Sequence, residues 1–260
     1  MIIFPLNTGQ RYYSLHYQYI LNIFQYLKLP ITFQSFPEIH KTKFICIINN
    51  KKVLFDFSDG DDVFSNIDVT KCFKFHYTKK HNVYNNMLPI SPISFHDWNL
   101  YTDSIKYTAT GKILNNQKAY GNATQRRNFV KNLLLQKYGN EVDTQITNQQ
   151  VFLNKINNCL CYVHVPGFCD EMIDRASLQF LGLGCLVITP YIPEIFPFDM
   201  MFENKIHYIQ CETDYSDLIQ KIEWVKLNKE EAIQIGNNAK ELFKECCTPE
   251  KIWEWILVNI

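Results

Sequence analysis

The sequence predicts an α/β fold in two halves, each built on a mainly parallel sheet, with the first half abbreviated. Strand-like and helix-like segments alternate from about residue 105 to the end of the chain, which is the pattern of βαβ units. The runs 159–163 and 185–189 are continuously apolar apart from Thr189 at the end of the second, as strands buried on both faces of a sheet are. The 260 residues are 47% hydrophobic and 20% charged, which is enough apolar surface for a sizeable core.

Strands dominate the first half. Asn49-Asn50 stands between two apolar runs and predicts the turn of a β-hairpin over 43–57. Alternation with period two predicts a half-buried strand over 71–78. Further predicted elements are a strand at 1–6, a helix from Tyr12 to Leu27 that Pro30 ends, and a strand at 31–36. The region 81–103 has no clear period, and a linker is predicted near 95–105.

The second half has clearer element boundaries. A strand is predicted over 105–110, and a helix over 122–139 with Asn122 or Thr124 as its N-cap and Gly139 as its stop. The other predicted elements are strands at 159–165, 185–190 and 205–211, and helices at 148–158, 171–184, 214–228, 229–247 and 249–260, the last with Thr248 as cap. The predicted domains are therefore 1–100 and 101–260, with the helix 249–260 crossing back to the first.

Composition restricts the class of partner and the compartment. A formal net charge of zero argues against a broad binding surface for nucleic acid or anionic membrane. We expect no transmembrane segment, because no apolar run approaches the roughly 18–20 residues that span a bilayer. Most of the nine cysteines lie in apolar runs, with no zinc-type spacing, so we interpret them as small core residues. With no secretory leader recognised, the prediction is a cytoplasmic protein, or one of a host cytoplasm if the source is viral.

In parallel α/β sheets, ligands bind at the carboxyl ends of the strands. Gly111 and Lys112 follow the predicted strand 105–110, and the next helix opens with Arg126-Arg127. A helix N-terminus and arginine side chains both favour anions such as phosphate. The alternative for this pair is a solvated basic helix face. Similarly, Glu171 and Arg175 form either part of a nucleotide site or an ordinary helix ion pair.

The order and spacing of these segments resemble the C-terminal nucleotide-binding domain of GT-B glycosyltransferases. The stretch 174–196, DRASLQFLGLGCLVITPYIPEIF, is similar to the arginine-led helix, Gly-Cys turn and strand of the exostosin-like, CAP10-like and CgeB-like branches, of the compact type found in bacteria and large algal viruses. The resemblance covers about 105–260 well and 1–104 loosely. It implies two Rossmann-like halves with a cleft between them. The donor-binding residues it implies are Gly111, Lys112, Arg126, Arg127, His164, Gly167, Glu171, Arg175, Ser177 and Gln179.

The resemblance also implies an activity, namely transfer of a sugar from a nucleoside-diphosphate sugar, with UDP-sugar favoured, to a glycan or glycoprotein hydroxyl. Side chains and helix dipoles would neutralise the diphosphate without a metal or other cofactor. Glu171 and Gln179 occupy the two ends of the E-x7-E spacing of retaining members, and because the second is Gln, an inverting reaction is favoured. The expected base is Asp59 or Asp61, in a run whose four acids (Asp56 included) would repel one another.

Acceptor contacts are expected from Gly9, Gln10, Tyr12 and His16 in the first half. Two alternatives stay open. One is a protein of the same fold that binds a nucleotide sugar or glycan without catalysis. The other is a GT-A enzyme that uses Asp59-Gly60-Asp61 with Mg²⁺ or Mn²⁺.

Overall fold

The structure is a computed structural model that describes residues 1–7, 12, 14–37, 39–58, 67–90, 105–147, 149–167, 175–192 and 201–260. It is a mixed α/β protein with parallel strands and helices, and the chain divides into two compact units. Among the described residues, unit 1 comprises 1–90 and 245–260, and unit 2 comprises 105–192 and 201–244.

Unit 1 is built on a six-stranded mixed sheet with the order β2-β1-β3-β4-β5-β6. Only β3 runs antiparallel to its neighbours; the other adjacent strands are parallel. The strands are β1 (Ile2–Pro5), β2 (Ile31–Gln34), β3 (Lys43–Ile48), β4 (Lys51–Asp56), β5 (Lys71–Lys74) and β6 (Met87–Pro89). The helix α1 (Ser14–Tyr26) follows β1.

The predicted hairpin is confirmed. β3 and β4 pair antiparallel, and Asn49 and Asn50 have φ angles of 50° and 65°. Positive φ at both central residues is what a type I′ turn requires, and asparagine tolerates this conformation better than most side chains. This local turn is the reason that an antiparallel strand stands within an otherwise parallel sheet.

Unit 2 is built on a five-stranded sheet with the order β11-β10-β9-β7-β8, in which all neighbours are parallel. Its strands are β7 (Lys112–Leu114), β8 (Val142–Asp143), β9 (Cys159–Val163), β10 (Val187–Thr189) and β11 (Ile209–Gln210). Its helices are α2 (Thr124–Tyr138), α3 (Gln149–Asn157), α4 (Arg175–Gly182), α5 (Leu218–Leu227) and α6 (Lys229–Cys246). All of β9 and β10 is buried, as the apolar runs predicted.

The prediction of a strand over 105–110 is wrong. Those residues are irregular, Ala109 and Gly111 have φ angles of 50° and 85°, and the strand begins only at Lys112. Side-chain contacts hold the segment, since the Thr108 hydroxyl donates to the Asn157 carbonyl at 2.8 Å. The buried Tyr107 hydroxyl likewise donates to the Leu160 carbonyl.

Local helix signals predicted most helix ends. α2 stops at Gly139, which has a φ of 54°, and the last helix, α7 (Pro249–Asn259), is capped by the Thr248 hydroxyl, which accepts from the Lys251 N–H at 3.2 Å. The predicted cap of α2 is wrong, because a 3-10 turn over Gly121–Ala123 precedes the helix and Ala123 is the N-cap. No helix among the described residues is both long and apolar enough to cross a lipid bilayer.

The helix α7 contributes to the core of unit 1. Ile252 and Ile256 are buried with Phe4 and Phe24 in one apolar cluster. The Phe24 ring meets Trp253 edge to face, with 5.3 Å between centroids. Unit 1 is therefore made from both ends of the described chain.

The cysteines predicted to be core residues are buried, and they are Cys46, Cys72, Cys159, Cys161, Cys185 and Cys211. Burial raises the pKa of the Cys161 and Cys185 thiols well above their usual range, because a thiolate loses its hydration there. These thiols therefore stay protonated and pack as small apolar groups.

Candidate functional site

The strand order of unit 2 reverses between β7 and β9. After β7 the chain goes to one side, to β8, and then returns past β7 to form β9 on the other side. In an open parallel sheet, such a switch point leaves a crevice outside the carboxyl ends of the two strands, where ligands bind. The segments that follow these strand ends are 115–120 and 164–167.

Amide side chains join these two segments. The Asn115 Nδ2 group donates to the Val163 carbonyl at 3.0 Å. The Gln117 amide pairs with the main chain of Val165, since Oε1 accepts from its N–H at 2.6 Å and Nε2 donates to its carbonyl at 2.9 Å. Gln117 thus replaces the strand partner that Val165 lacks beyond the end of β9, and it extends the β7–β9 pairing to the crevice.

His164, one of the predicted donor-binding residues, lies in the segment 164–167 that follows β9. Its ring is 3% exposed, its Nδ1 atom is 3.0 Å from Gln117 Nε2, and its backbone N–H donates to the Ile188 carbonyl at 2.8 Å. The structure therefore brings His164 and the half-buried Gly167 to the carboxyl edge of the sheet.

Two predicted phosphate-binding residues, Arg126 and Arg127, are the third and fourth residues of α2 and lie at the same edge. The Arg126 Nη2 group donates to the Pro166 carbonyl at 3.0 Å. Arg127 is 7% exposed and donates to two carbonyls, those of Val165 at 3.2 Å and Lys118 at 2.7 Å. Arg127 accordingly braces the two segments and is too enclosed for the direct ligand contact that was predicted.

The position of these arginines has an electrostatic consequence. The N-terminus of a helix carries a partial positive charge, so cations in its first turns are unfavourably placed. The first turn of α2 contains no acidic residue, and Arg126 and Arg127 follow directly. The helix dipole and the guanidinium groups each favour an anion at the switch point.

Gly111 and Lys112 are not brought to this edge. Because β7 begins at Lys112, both residues lie at the amino end of the strand, opposite to Asn115 and His164. Gly111 has a packing role instead, since a Cβ atom built on it would lie 1.9 Å from the Asn158 carbonyl oxygen.

The remaining predicted donor residues lie on or before α4. The backbone of Arg175 begins this helix, Ser177 is 2% exposed, and Gln179 is half-buried. The Arg175 side chain and Glu171 lie outside the described residues. The predicted Glu171 and Gln179 pair therefore stays a prediction.

The predicted acceptor side belongs to unit 1. Asp59, Asp61, Gly9 and Gln10 lie outside the described residues. Tyr12 is 3% exposed and its ring stacks on Tyr17 at 5.9 Å, so it is a core residue and lacks the open ring face that a sugar contact requires. His16, on α1, is half-buried and stacks on Phe57 at 4.9 Å.

A buried ion cluster, which sequence reasoning missed, lies at the end of β4. Asp56 Oδ2 is 3.3 Å from both Lys43 Nζ and Lys74 Nζ, and the three residues are at most 2% exposed. Asp56 Oδ1 accepts from the N–H and hydroxyl of Ser58 at 2.9 and 2.6 Å. Asp56 is thus held between two ammonium groups. The other three acids of the run lie outside the described residues, so the expected repulsion among the four stays a prediction.

Strand register is the signal that could have identified this cluster. Asp56 is directly opposite Lys43 on β3 and directly opposite Lys74 on β5. Opposite charges at facing positions of adjacent strands attract, and here both pairs share one carboxylate. The sequence shows the three charges but not which strands are neighbours.

Comparison with known proteins gives little further information. No model of a known protein family matches the chain. Over 100 residues, the chain is 32% identical to a protein named "Uncharacterized protein 179R" from Invertebrate iridescent virus 6. The matched region is 36% of this chain but only 8% of the viral protein, so the chain corresponds to a small part of that relative.

Proposed function

We propose that the protein is a nucleotide-sugar-dependent glycosyltransferase of the GT-B type, with its donor diphosphate bound at the switch point of unit 2. The observation that carries the proposal is the set of groups between β7 and β9. The N-terminus of α2 and the Arg126 guanidinium supply positive charge there. The all-parallel sheet and the resemblance of 105–260 to GT-B donor domains support the same assignment.

The chemistry follows from charge development on the leaving group. When the glycosidic bond to a nucleoside-diphosphate sugar breaks, negative charge grows on the departing diphosphate. Donors and dipoles already in place stabilise this charge better than water does, since they need no reorganisation. Under this proposal no metal is required. The acceptor is a glycan hydroxyl, which Asp59 or Asp61 deprotonates, and UDP-sugar is the favoured donor.

A thermal-shift titration tests the binding step. We expect UDP-glucose at a hundredfold excess over its dissociation constant to add about 2.7 kcal/mol to the free energy of unfolding. For a chain of this size, such a gain corresponds to a rise in Tm of about 5–10 °C. GDP-mannose and the two free diphosphates identify the preferred nucleotide. If none of these compounds raises Tm, the proposal is wrong.

A measurement of turnover distinguishes a glycosyltransferase from a protein of the same fold that binds a nucleotide sugar or glycan without catalysis. We expect UDP to be released from UDP-glucose slowly in buffer and faster with a glycan acceptor. Binding without release, across a panel of nucleotide sugars and acceptors, would favour the non-catalytic alternative.

Arg126→Ala is expected to weaken UDP binding by about 10- to 150-fold, which is the loss of one charge-assisted hydrogen bond of roughly 1.5–3 kcal/mol. Isothermal titration calorimetry measures this change. The matched control is Lys137→Ala, which removes one positive charge from the exposed last turn of the same helix and is expected to alter the affinity less than about twofold at 0.15 M salt. Equal effects of the two substitutions would contradict the site assignment.

A further inference from the structure

Tyr120 is an exposed aromatic side chain at the switch point of unit 2. It is the last residue of the segment 115–120, which follows β7, and its backbone is extended. The 3-10 turn Gly121–Ala123 connects it directly to α2. The residue is 61% exposed. Its ring is therefore accessible to a ligand beside the helix N-terminus at which we propose that the donor diphosphate binds.

Arg127 holds this ring in place. The guanidinium carbon Cζ lies over the Tyr120 ring, 5.5 Å from its centroid. The same guanidinium donates to the Lys118 carbonyl at 2.7 Å and to the Val165 carbonyl at 3.2 Å. Since Arg127 is only 7% exposed, it is a buried anchor for the ring. The exposed ring is thus tied, through a buried cation, to both segments of the switch point.

An accessible aromatic ring that is already held in place is suited to bind a flat ligand. A mobile side chain loses conformational freedom when a ligand stacks on it, and this loss reduces the affinity, whereas a fixed ring avoids most of that cost. One face of the Tyr120 ring is turned to Arg127, so the opposite face is the one left for a ligand. The cation–π contact therefore determines which ring face can be used.

The flat aromatic part of a nucleoside-diphosphate sugar is its base. Bases stack on aromatic side chains in many nucleic-acid-binding proteins, because every base has a π-face. The base is joined to the diphosphate through the ribose, so a base subsite must lie close to the diphosphate subsite. Tyr120 meets this requirement, since only the three residues of the 3-10 turn separate it from the first turn of α2, which contains Arg126.

We propose that Tyr120 is the base-stacking residue of the donor site, and that it packs its open ring face against the base of the nucleotide sugar. This inference rests on the function proposed above and adds a nucleoside subsite to it. Because stacking accepts every base, we expect the contact to increase the affinity for UDP and GDP alike, without choosing between them.

The test is the affinity of Tyr120→Ala for UDP, GDP and inorganic pyrophosphate, which lacks a base, measured by isothermal titration calorimetry at one pH and salt concentration. We expect UDP and GDP to bind about 5- to 150-fold more weakly, equivalent to about 1–3 kcal/mol for the loss of one stacked base. Pyrophosphate is expected to bind within about twofold of its affinity for the unsubstituted protein. A merely structural role of Tyr120, acting through Arg127 on the anion site, would weaken all three ligands.

Two further variants serve as controls. Tyr120→Phe keeps the ring and is expected to bind UDP within about twofold of the unsubstituted protein. Phe129→Ala removes an aromatic side chain that is 54% exposed on α2, and we expect it to leave the affinity for UDP unchanged within about twofold. Because Tyr120 is itself largely exposed, Tyr120→Ala is expected to fold, which its circular dichroism spectrum checks.

Three results would overturn the inference while the proposed function stands. They are an unchanged affinity of Tyr120→Ala for UDP, an equal loss of affinity for UDP and pyrophosphate, and a loss for UDP-glucose but not for UDP, which would indicate that the ring stacks on the sugar. If the unsubstituted protein binds no nucleoside diphosphate or nucleotide sugar, the proposed function is wrong, and the base subsite is wrong with it.

Discussion

Asp56→Asn is expected to lower the free energy of unfolding of unit 1 by about 3–5 kcal/mol, which is typical when one partner of a buried ion pair is removed. Asp56 is the carboxylate that Lys43 and Lys74 share, with both ammonium nitrogens 3.3 Å from Oδ2 and all three residues at most 2% exposed. Asparagine keeps the shape but not the charge. The two ammonium groups would then lose their common anion in a place where water cannot replace it.

Urea titration followed by Trp253 and Trp255 fluorescence measures this loss, with hydrogen exchange of β4 as a local readout. The control is Asp68→Asn, which removes the carboxylate from a Lys52 pair of 2.9 Å whose aspartate is almost fully exposed. We expect no clear change there, because water screens that pair. Lys74→Met, which leaves the Lys43–Asp56 pair intact, is expected to cost less than Asp56→Asn. Equal losses for Asp56→Asn and Asp68→Asn would show that the buried cluster is not a source of stability.

Gly111→Ala is expected to destabilise unit 2 by about 2–5 kcal/mol, from two added effects. A residue with a side chain at a φ of 85° is strained, by about 1–2 kcal/mol. The new Cβ would also lie 1.9 Å from the Asn158 carbonyl oxygen, so the backbone must move, at a cost of about 1–3 kcal/mol.

Gly121→Ala separates the two effects. Gly121 also has a positive φ, of 54°, but no atom lies within 4 Å of the position of its Cβ. We expect only the conformational cost there, about 1–2 kcal/mol. Denaturation curves of both variants therefore give the cost of the close approach as a difference. If the two losses are the same, the contact with Asn158 is not tight in solution.

The sequence predicted those features of the fold that depend only on interactions between residues close together in the chain. The Asn49-Asn50 turn, the Gly139 stop and the Thr248 cap each depend on a few adjacent residues. The short strands β6 and β8 were missed because three and two residues are too few to show a period. They are strands only because a neighbouring strand pairs with them.

In the candidate site of unit 2 as well, the sequence predicted what adjacent residues determine and missed what strand pairing determines. Arg126 and Arg127 lie in the first turns of a helix, as predicted, because a helix start follows a strand end in any βα unit. Their part in donor binding stays a prediction. Gly111 and Lys112 were predicted to follow a strand at 105–110. Because the strand β7 instead begins at Lys112, both residues lie at the amino edge of the sheet and not at the carboxyl edge. Gln117 and the partners of Asp56 could not be predicted, since their contacts depend on which strands are neighbours in space.

The use of α7 in the core of unit 1 has a consequence for synthesis on the ribosome. β1 to β6 leave the exit tunnel first, but Ile252 and Ile256, which complete their apolar cluster, come more than 160 residues later. At about 5–20 residues per second, this interval is roughly 8–30 s. Unit 2 is made entirely within it and can fold while the nascent first unit still exposes apolar surface. That surface stays open to chaperones until α7 has left the tunnel.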